Sequence, residues 1–164
     1  MKSPGTIAEA KPLYEEALSI RRRVLGVDHP DLADSLNNLA NWYHAQGKYD
    51  EAEPLYDEAL SITRRVLGAD HPNTASSLNN LANLYRAQGR YSKAEPLYAK
   101  ALSTRRREFG TDHPDTADSR NNLAGLYLDQ GRFVEAASLS KEAVEIMVRV
   151  LGVEHSKTKI VREN

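Results

Sequence analysis

The chain has 164 residues, with 22 basic against 23 acidic side chains and no cysteine. The balanced charge leaves no basic footprint for nucleic acid or an anionic membrane, and the missing thiols exclude a disulfide framework, a thiolate metal site and a cysteine nucleophile. No apolar run approaches the roughly 18 residues of a spanning helix, and the opening Met-Lys-Ser-Pro-Gly-Thr lacks the apolar stretch of a signal peptide, so a soluble, cytoplasmic protein is expected.

Residues 1–7 hold Pro4 and Gly5 and read as a flexible lead-in. A first helix is expected over 8–25. There Ala10, Leu13, Tyr14, Ala17, Leu18 and Leu25 recur at the three- and four-residue spacing of one buried face. Arg21, Arg22 and Arg23 complement the negative end of its dipole, and Gly26 supplies the left-handed stop. Asp28-His29-Pro30 connects to a second helix, to about Gln46, with Leu32, Leu36, Leu39, Ala40 and Tyr43 on its apolar face. Gly47 ends it, and a third helix opens near Asp50, where Asp50 and Glu53 stand at the spacing of a capping box. Ser92 and Glu95 repeat that spacing. Ala52, Leu55, Tyr56, Ala59, Leu60, Val66 and Leu67 form the third helix's apolar face.

The same words then return. His29, His71, His113 and His155 recur every 42 residues, as do Gly26, Gly68, Gly110 and Gly152. A period in this range marks a solenoid. Repeats are expected at about 30–68, 72–110 and 114–152, after the incomplete repeat 8–25 and before a partial helix 156–164, in a single array over 8–164. Ala40, Ala52 and Ala59, with copies at 82, 94 and 101, are small enough to let helices approach closely. One pair cannot cover its own apolar surface, so stability comes from neighbouring pairs. The helix 8–25 has no preceding partner helix and the final one is cut short, so Leu13, Leu18, Leu139 and Val144 are expected to be partly uncovered and to favour self-association.

The order Leu39-Ala40, Tyr43, Gly47, Tyr49, Ala52, Tyr56, Ala59 resembles the tetratricopeptide repeat. The 42-residue period exceeds that family's usual length of about 34. Together with Leu-Gly-x-Asp-His-Pro, Leu-Asn-Asn-Leu-Ala, Gln-Gly-(Lys/Arg)-Tyr and Glu-Ala-Glu-Pro-Leu-Tyr, it resembles the kinesin light chain-like subclass over about residues 8 to 160. The resemblance implies an all-α, right-handed superhelical solenoid of antiparallel helix pairs. No heptad coiled coil of the kind that binds a motor is present in the sequence, so a motor subunit is not implied.

Recurrent histidines suggest metal, but stacked repeats lie on the order of 20 Å apart, while zinc ligands sit about 2 Å from one ion. A structural loop role is expected for them, with no metal and no cofactor. No nucleophile, base and orienting acid recur together, so no catalytic residue and no enzyme activity are expected. Each first helix of a pair carries a polar stripe: Asp34, Asn37, Asn38, Asn41 and His44; then Ser76, Asn79, Asn80, Asn83 and Arg86; then Asp118, Asn121, Asn122, Gly125 and Leu128. Spacings of three and four put each set on one side of its helix. In tetratricopeptide folds these helices line a concave groove, so the resemblance implies that the stripe faces a ligand. An asparagine amide both donates and accepts, which suits the backbone of an extended peptide.

The candidate groove residues are Asn37, Asn38, Asn41, His44, Asn79, Asn80, Asn83, Arg86, Asn121 and Asn122. The resemblance places Asn38, Asn80 and Asn122 at a peptide-contacting position, and Arg86 where cargo-binding light chains carry an arginine. Family clamps for acidic peptides often have lysine where this chain has Asp34, Ser76 and Asp118. The function expected is a protein–protein interaction scaffold that binds a peptide or protein segment in its groove. The alternative is a purely structural module that stacks through its ends into a homo-oligomer. Neither nucleic acid nor a membrane is an expected partner.

Overall fold

The computed structural model describes residues 4–152, and their side chains from residue 11 onward. The described residues form seven helices and no strand: α1 Pro4–Leu25, α2 Pro30–His44, α3 Tyr49–Leu67, α4 Pro72–Ala87, α5 Tyr91–Phe109, α6 Pro114–Asp129 and α7 Phe133–Leu151. The helix expected at 156–164 and the fourth loop histidine, His155, lie outside them. α1 begins at Pro4, four residues before the expected start, because proline's fixed φ and missing N–H suit a first turn.

The loops repeat their construction. Gly68 has φ +99° and Gly47 φ +71°, a region that side chains with a Cβ rarely adopt, and this turns the chain between paired helices. After α2, Lys48 N–H donates back to Tyr43 O at 3.0 Å; Arg90 to Tyr85 and Arg132 to Tyr127 make the same closure at 2.8 Å. The histidines begin the first-type helices. His29 Nδ1 accepts from Asp31 N–H at 3.2 Å, His71 from Asn73 N–H at 3.1 Å and His113 from Asp115 N–H at 3.1 Å. Each satisfies an amide that has no partner inside its helix. The loop role expected for these histidines is thus a cap.

The capping boxes expected at Asp50/Glu53 and Ser92/Glu95 do not form. The caps fall two residues earlier than those boxes need, so Lys48 and Arg90 hold the cap positions and make no side-chain cap bond. Glu95 is engaged elsewhere, as described below.

The chain divides into two compact units, Met1–Leu84 and Tyr85–Asn164, with the division inside α4. In the first, α1 packs on α2 and α2 on α3. Its core joins Leu18, Leu32, Ala33, Leu36, Leu39, Ala59 and Ile62, with Tyr43 and Leu55 packed against it. Ala40, Ala52 and Ala59 have no exposed surface, as their small size demands at helix contacts. Among the described side chains of its expected face, α1 buries only Leu18: Leu13 is 66% exposed, and Tyr14, Ala17 and Leu25 are exposed as well. Val66, expected inside, is exposed too. In the second unit α5 packs on α6 and α6 on α7, around Ala117, Ala143, Ile146 and Met147. Leu139 and Val144 are half-buried.

One polar contact recurs at the repeat junctions. Arg21 Nη1 donates to Ser35 Oγ at 2.5 Å, Thr63 Oγ1 to Ser77 Oγ at 3.4 Å and Arg105 Nη1 to Ser119 Oγ at 2.9 Å. Donor and acceptor are each one period on from the last.

Candidate functional site

The stripe of the first unit is partly consumed by the fold. Asn37 Nδ2 on α2 donates to Ser77 Oγ on α4 at 3.5 Å, and Asn80 Nδ2 donates to Asn37 Oδ1 at 3.4 Å. Asn37 and Asn80 therefore tie one repeat to the next. Asn79 is buried and has partners of its own. Asn41 is exposed, but its Oδ1 accepts the Tyr56 hydroxyl at 2.6 Å. Burial pushes the Tyr56 phenol up to about 12, so it donates at any ordinary pH. Asn83 is half-buried and has partners. His44 is half-buried, its ring 5.5 Å from Tyr49 and 6.4 Å from Tyr56. Desolvation lowers its pKa and favours the neutral ring.

Asn38 is the exposed member of the expected peptide-contacting trio, and no described group hydrogen-bonds its side chain. It borders a pocket of about 270 Å³ with Leu13, Tyr14, Ala17, Arg21 and Ser35. An uncommitted amide beside exposed apolar carbons is an arrangement that can hold a peptide backbone and one of its side chains.

In the second unit Arg86 is not an open cation. Its Nε donates to Asp129 Oδ2 at 2.5 Å and its Nη2 to Asp129 Oδ1 at 3.2 Å. This two-pronged pair holds the guanidinium above its ordinary pKa against partial desolvation. Gly125 leaves the room that this guanidinium occupies. That position carries Asn41 and Asn83 in the other repeats, yet even a methyl group there would lie 2.6 Å from Arg86 Nη1. The loss of polarity at Gly125, visible in the sequence, is the space the arginine occupies. Asn122 is half-buried and has partners. Asn121 Oδ1 is buried without a hydrogen-bond partner among the described residues.

Sequence reasoning missed a second polar cluster. Tyr127 Oη donates to Glu95 Oε1 at 3.1 Å, and Arg132 Nη1 donates to the same oxygen at 2.9 Å. The Arg132 guanidinium also stacks on the Tyr127 ring at 3.7 Å. Arg132 foremost, with Tyr127, holds the Glu95 carboxyl below its usual range despite partial desolvation. The spacing Glu95, Tyr127, Arg132 bridges two repeats, so no local motif announces it.

Repeated helix–loop–helix units, built alike and packed on their neighbours, define an all-α repeat solenoid. The particular family follows from comparison. The tetratricopeptide repeat matches residues 5–62, 33–107 and 81–147, and the chain belongs to that family. Among solved structures it is similar to a kinesin light chain-like protein of Podosopora anserina with nearly identical TPR-like repeats, at 28% identity and TM-score 0.78, covering 96% of this chain and 75% of that one. A singly substituted form of that protein gives 28% identity and TM-score 0.79, covering 96% and 74%. BtubC (BKLC) from P. vanneervenii gives 28% identity and TM-score 0.80, covering 93% of this chain and 61% of that one. No curated protein matches. Tetratricopeptide repeats are in general protein-interaction scaffolds rather than enzymes. No helix among the described residues is long and apolar enough to cross a membrane.

Proposed function

We propose that the chain binds an extended peptide or protein segment along the polar stripe of its first-type helices, the concave groove that the resemblance implies. The observation that carries this reading is Asn38, exposed, uncommitted and beside an apolar-lined pocket. Asn80 lends its remaining hydrogen-bonding capacity in the first unit, and Asn122 is the counterpart in the second. Arg86 serves the fold through Asp129, so a ligand carboxylate would have to displace that aspartate; backbone amides are the groups recognised. A twelve-residue peptide selected from a random display library supplies the probe. Asn38→Ala should weaken it about fivefold, near the value of one neutral hydrogen bond of about 1 kcal/mol. Wild-type affinity in both Asn38→Ala and Asn80→Ala would refute the groove.

The second reading is self-association through exposed apolar surface. Leu13, Val24 and Val27 of the first unit are all well exposed, and such surface favours contact between copies. Sedimentation decides it: a concentration-dependent dimer that Leu13→Glu dissolves supports this reading, and a monomer at high concentration defeats it.

A further inference from the structure

We infer a second peptide-docking site in the unit Tyr85–Asn164, where side chains of α5, α6 and α7 line an open pocket of about 490 Å³. Its occupant is a segment that presents a leucine- or phenylalanine-sized side chain next to a carboxylate. The site is separate from the stripe: Arg120 stands about 200° round α6 from Asn122, at about 100° per residue.

The repeat itself shows that this junction is unusual. Position 120 carries leucine in the other repeats, Leu36 and Leu78, both essentially inaccessible. Here a core leucine has become an arginine whose side chain is only 7% exposed. Position 104 carries isoleucine in the neighbouring repeats, Ile62 and Ile146. Here it is Thr104, whose buried Oγ1 has no hydrogen-bond partner among the described residues. Two apolar-to-polar departures thus fall on one helix junction, α5 against α6. A buried guanidinium is costly to desolvate and adds little to stability even when paired. Departures of that kind from a chain's own pattern are expected where function, not packing, selects the residue.

The charge arrangement says what the pocket takes. In the first unit Arg22 Nη2 pairs with Glu58 Oε1 at 2.6 Å. Two periods on, those positions are Arg106 and Glu142. Glu142, however, accepts from Arg120 Nε at 3.0 Å, and Arg120 also donates to Thr111 O at 3.4 Å. Arg120 thereby takes the carboxylate that would have neutralised Arg106, and no described side chain pairs with Arg106. The pocket presents Arg106 and Arg107 at its rim and the three leucines Leu102, Leu123 and Leu139 inside, against the already paired Glu142. Its volume lies in the range of ligand pockets, about 300–1,000 Å³. An apolar side chain fits the leucines, and an adjacent carboxylate meets Arg106.

The probe is a fluorescein-labelled nonapeptide, Gly-Ser-Glu-Leu-Glu-Phe-Glu-Ser-Gly, with a neutral twin in which glutamine replaces each glutamate. The acidic peptide should bind saturably and shift the methyl resonances of Leu123 and Leu139. The neutral twin and Arg106→Gln should each bind about tenfold more weakly, the size of one charge-assisted hydrogen bond. Arg120→Leu restores the residue of the other repeats and frees Glu142 for Arg106; it should melt no lower than wild type yet lose binding. No saturable binding, equal binding of the neutral twin, methyl shifts confined to other residues, or wild-type affinity in both arginine variants would overturn the site.

Discussion

Arg86 and Gly125 share one volume: the guanidinium that clasps Asp129 lies where any side chain at 125 would begin. The relationship predicts a change of sign. In the middle of an exposed helix, Gly→Ala stabilises by about 0.5–1 kcal/mol. In the Arg86→Ala background Gly125→Ala should deliver that gain. In the wild type it should be neutral or destabilising, because the added methyl pushes the arginine from Asp129. A double-mutant cycle by thermal melting reads the coupling, expected at about 0.5–1 kcal/mol or more. Additive effects would mean that Arg86 swings aside without loss.

Ala94 tests the close helix contact. It is fully buried at the second repeat's copy of Ala52, with no room for a larger side chain. Ala94→Leu should destabilise by roughly 1–3 kcal/mol through overpacking. Ala99, exposed on the same helix, is the control: Ala99→Leu should leave the melting midpoint nearly unchanged. An unshifted midpoint in Ala94→Leu would remove Ala94 from the contact.

Most of the fold was legible because it repeats. The period, the glycine stops and the small residues at 40, 52, 59, 82, 94 and 101 each state a local rule, and each of those alanines is buried. The stripe was less legible. Asparagine suits a peptide groove and a helix-to-helix bond equally well, so sequence could not separate Asn38 from Asn37 and Asn80, which bond across repeats. The pairing of Arg86 was hidden for a related reason. Its partner Asp129 lies 43 residues away and does not recur at the equivalent positions Ala45 and Ala87. Departures from the repeat at 104, 120 and 125 carried the information that the repeated residues could not.

The histidine caps give a direct test of a feature legible only as a loop. His71→Ala should cost about 0.5–2 kcal/mol, the usual loss when a capping acceptor is removed. His71→Asn restores an acceptor to the Asn73 N–H and should recover most of it. Matched melting curves of the two variants and the wild type settle the point: equal losses in both would assign the histidine's contribution to its ring contacts instead.

The Glu95 cluster sets an acid limit on the second unit. Arg132 and Tyr127 hold the Glu95 carboxyl below its ordinary value of 4.5, so the unfolded chain takes up a proton at higher pH than the folded one. The stabilisation is therefore fully present above that unfolded value and is lost as pH falls through the folded one. Glu95 is about a third exposed, so the increment is that of a screened pair, about 0.2–1 kcal/mol. Glu95→Gln should lower the melting midpoint at pH 7 and bring the variant and wild-type curves together in acid, once the carboxyl of the wild type is protonated in both the folded and the unfolded chain. Arg132→Gln should reduce the same acid dependence, since it removes the larger cause of the shift. A Glu95→Gln variant whose midpoint runs parallel to wild type from pH 7 to pH 3 would show that the carboxylate is solvated alike in the folded and unfolded chains, and that Tyr127 and Arg132 merely lie beside it.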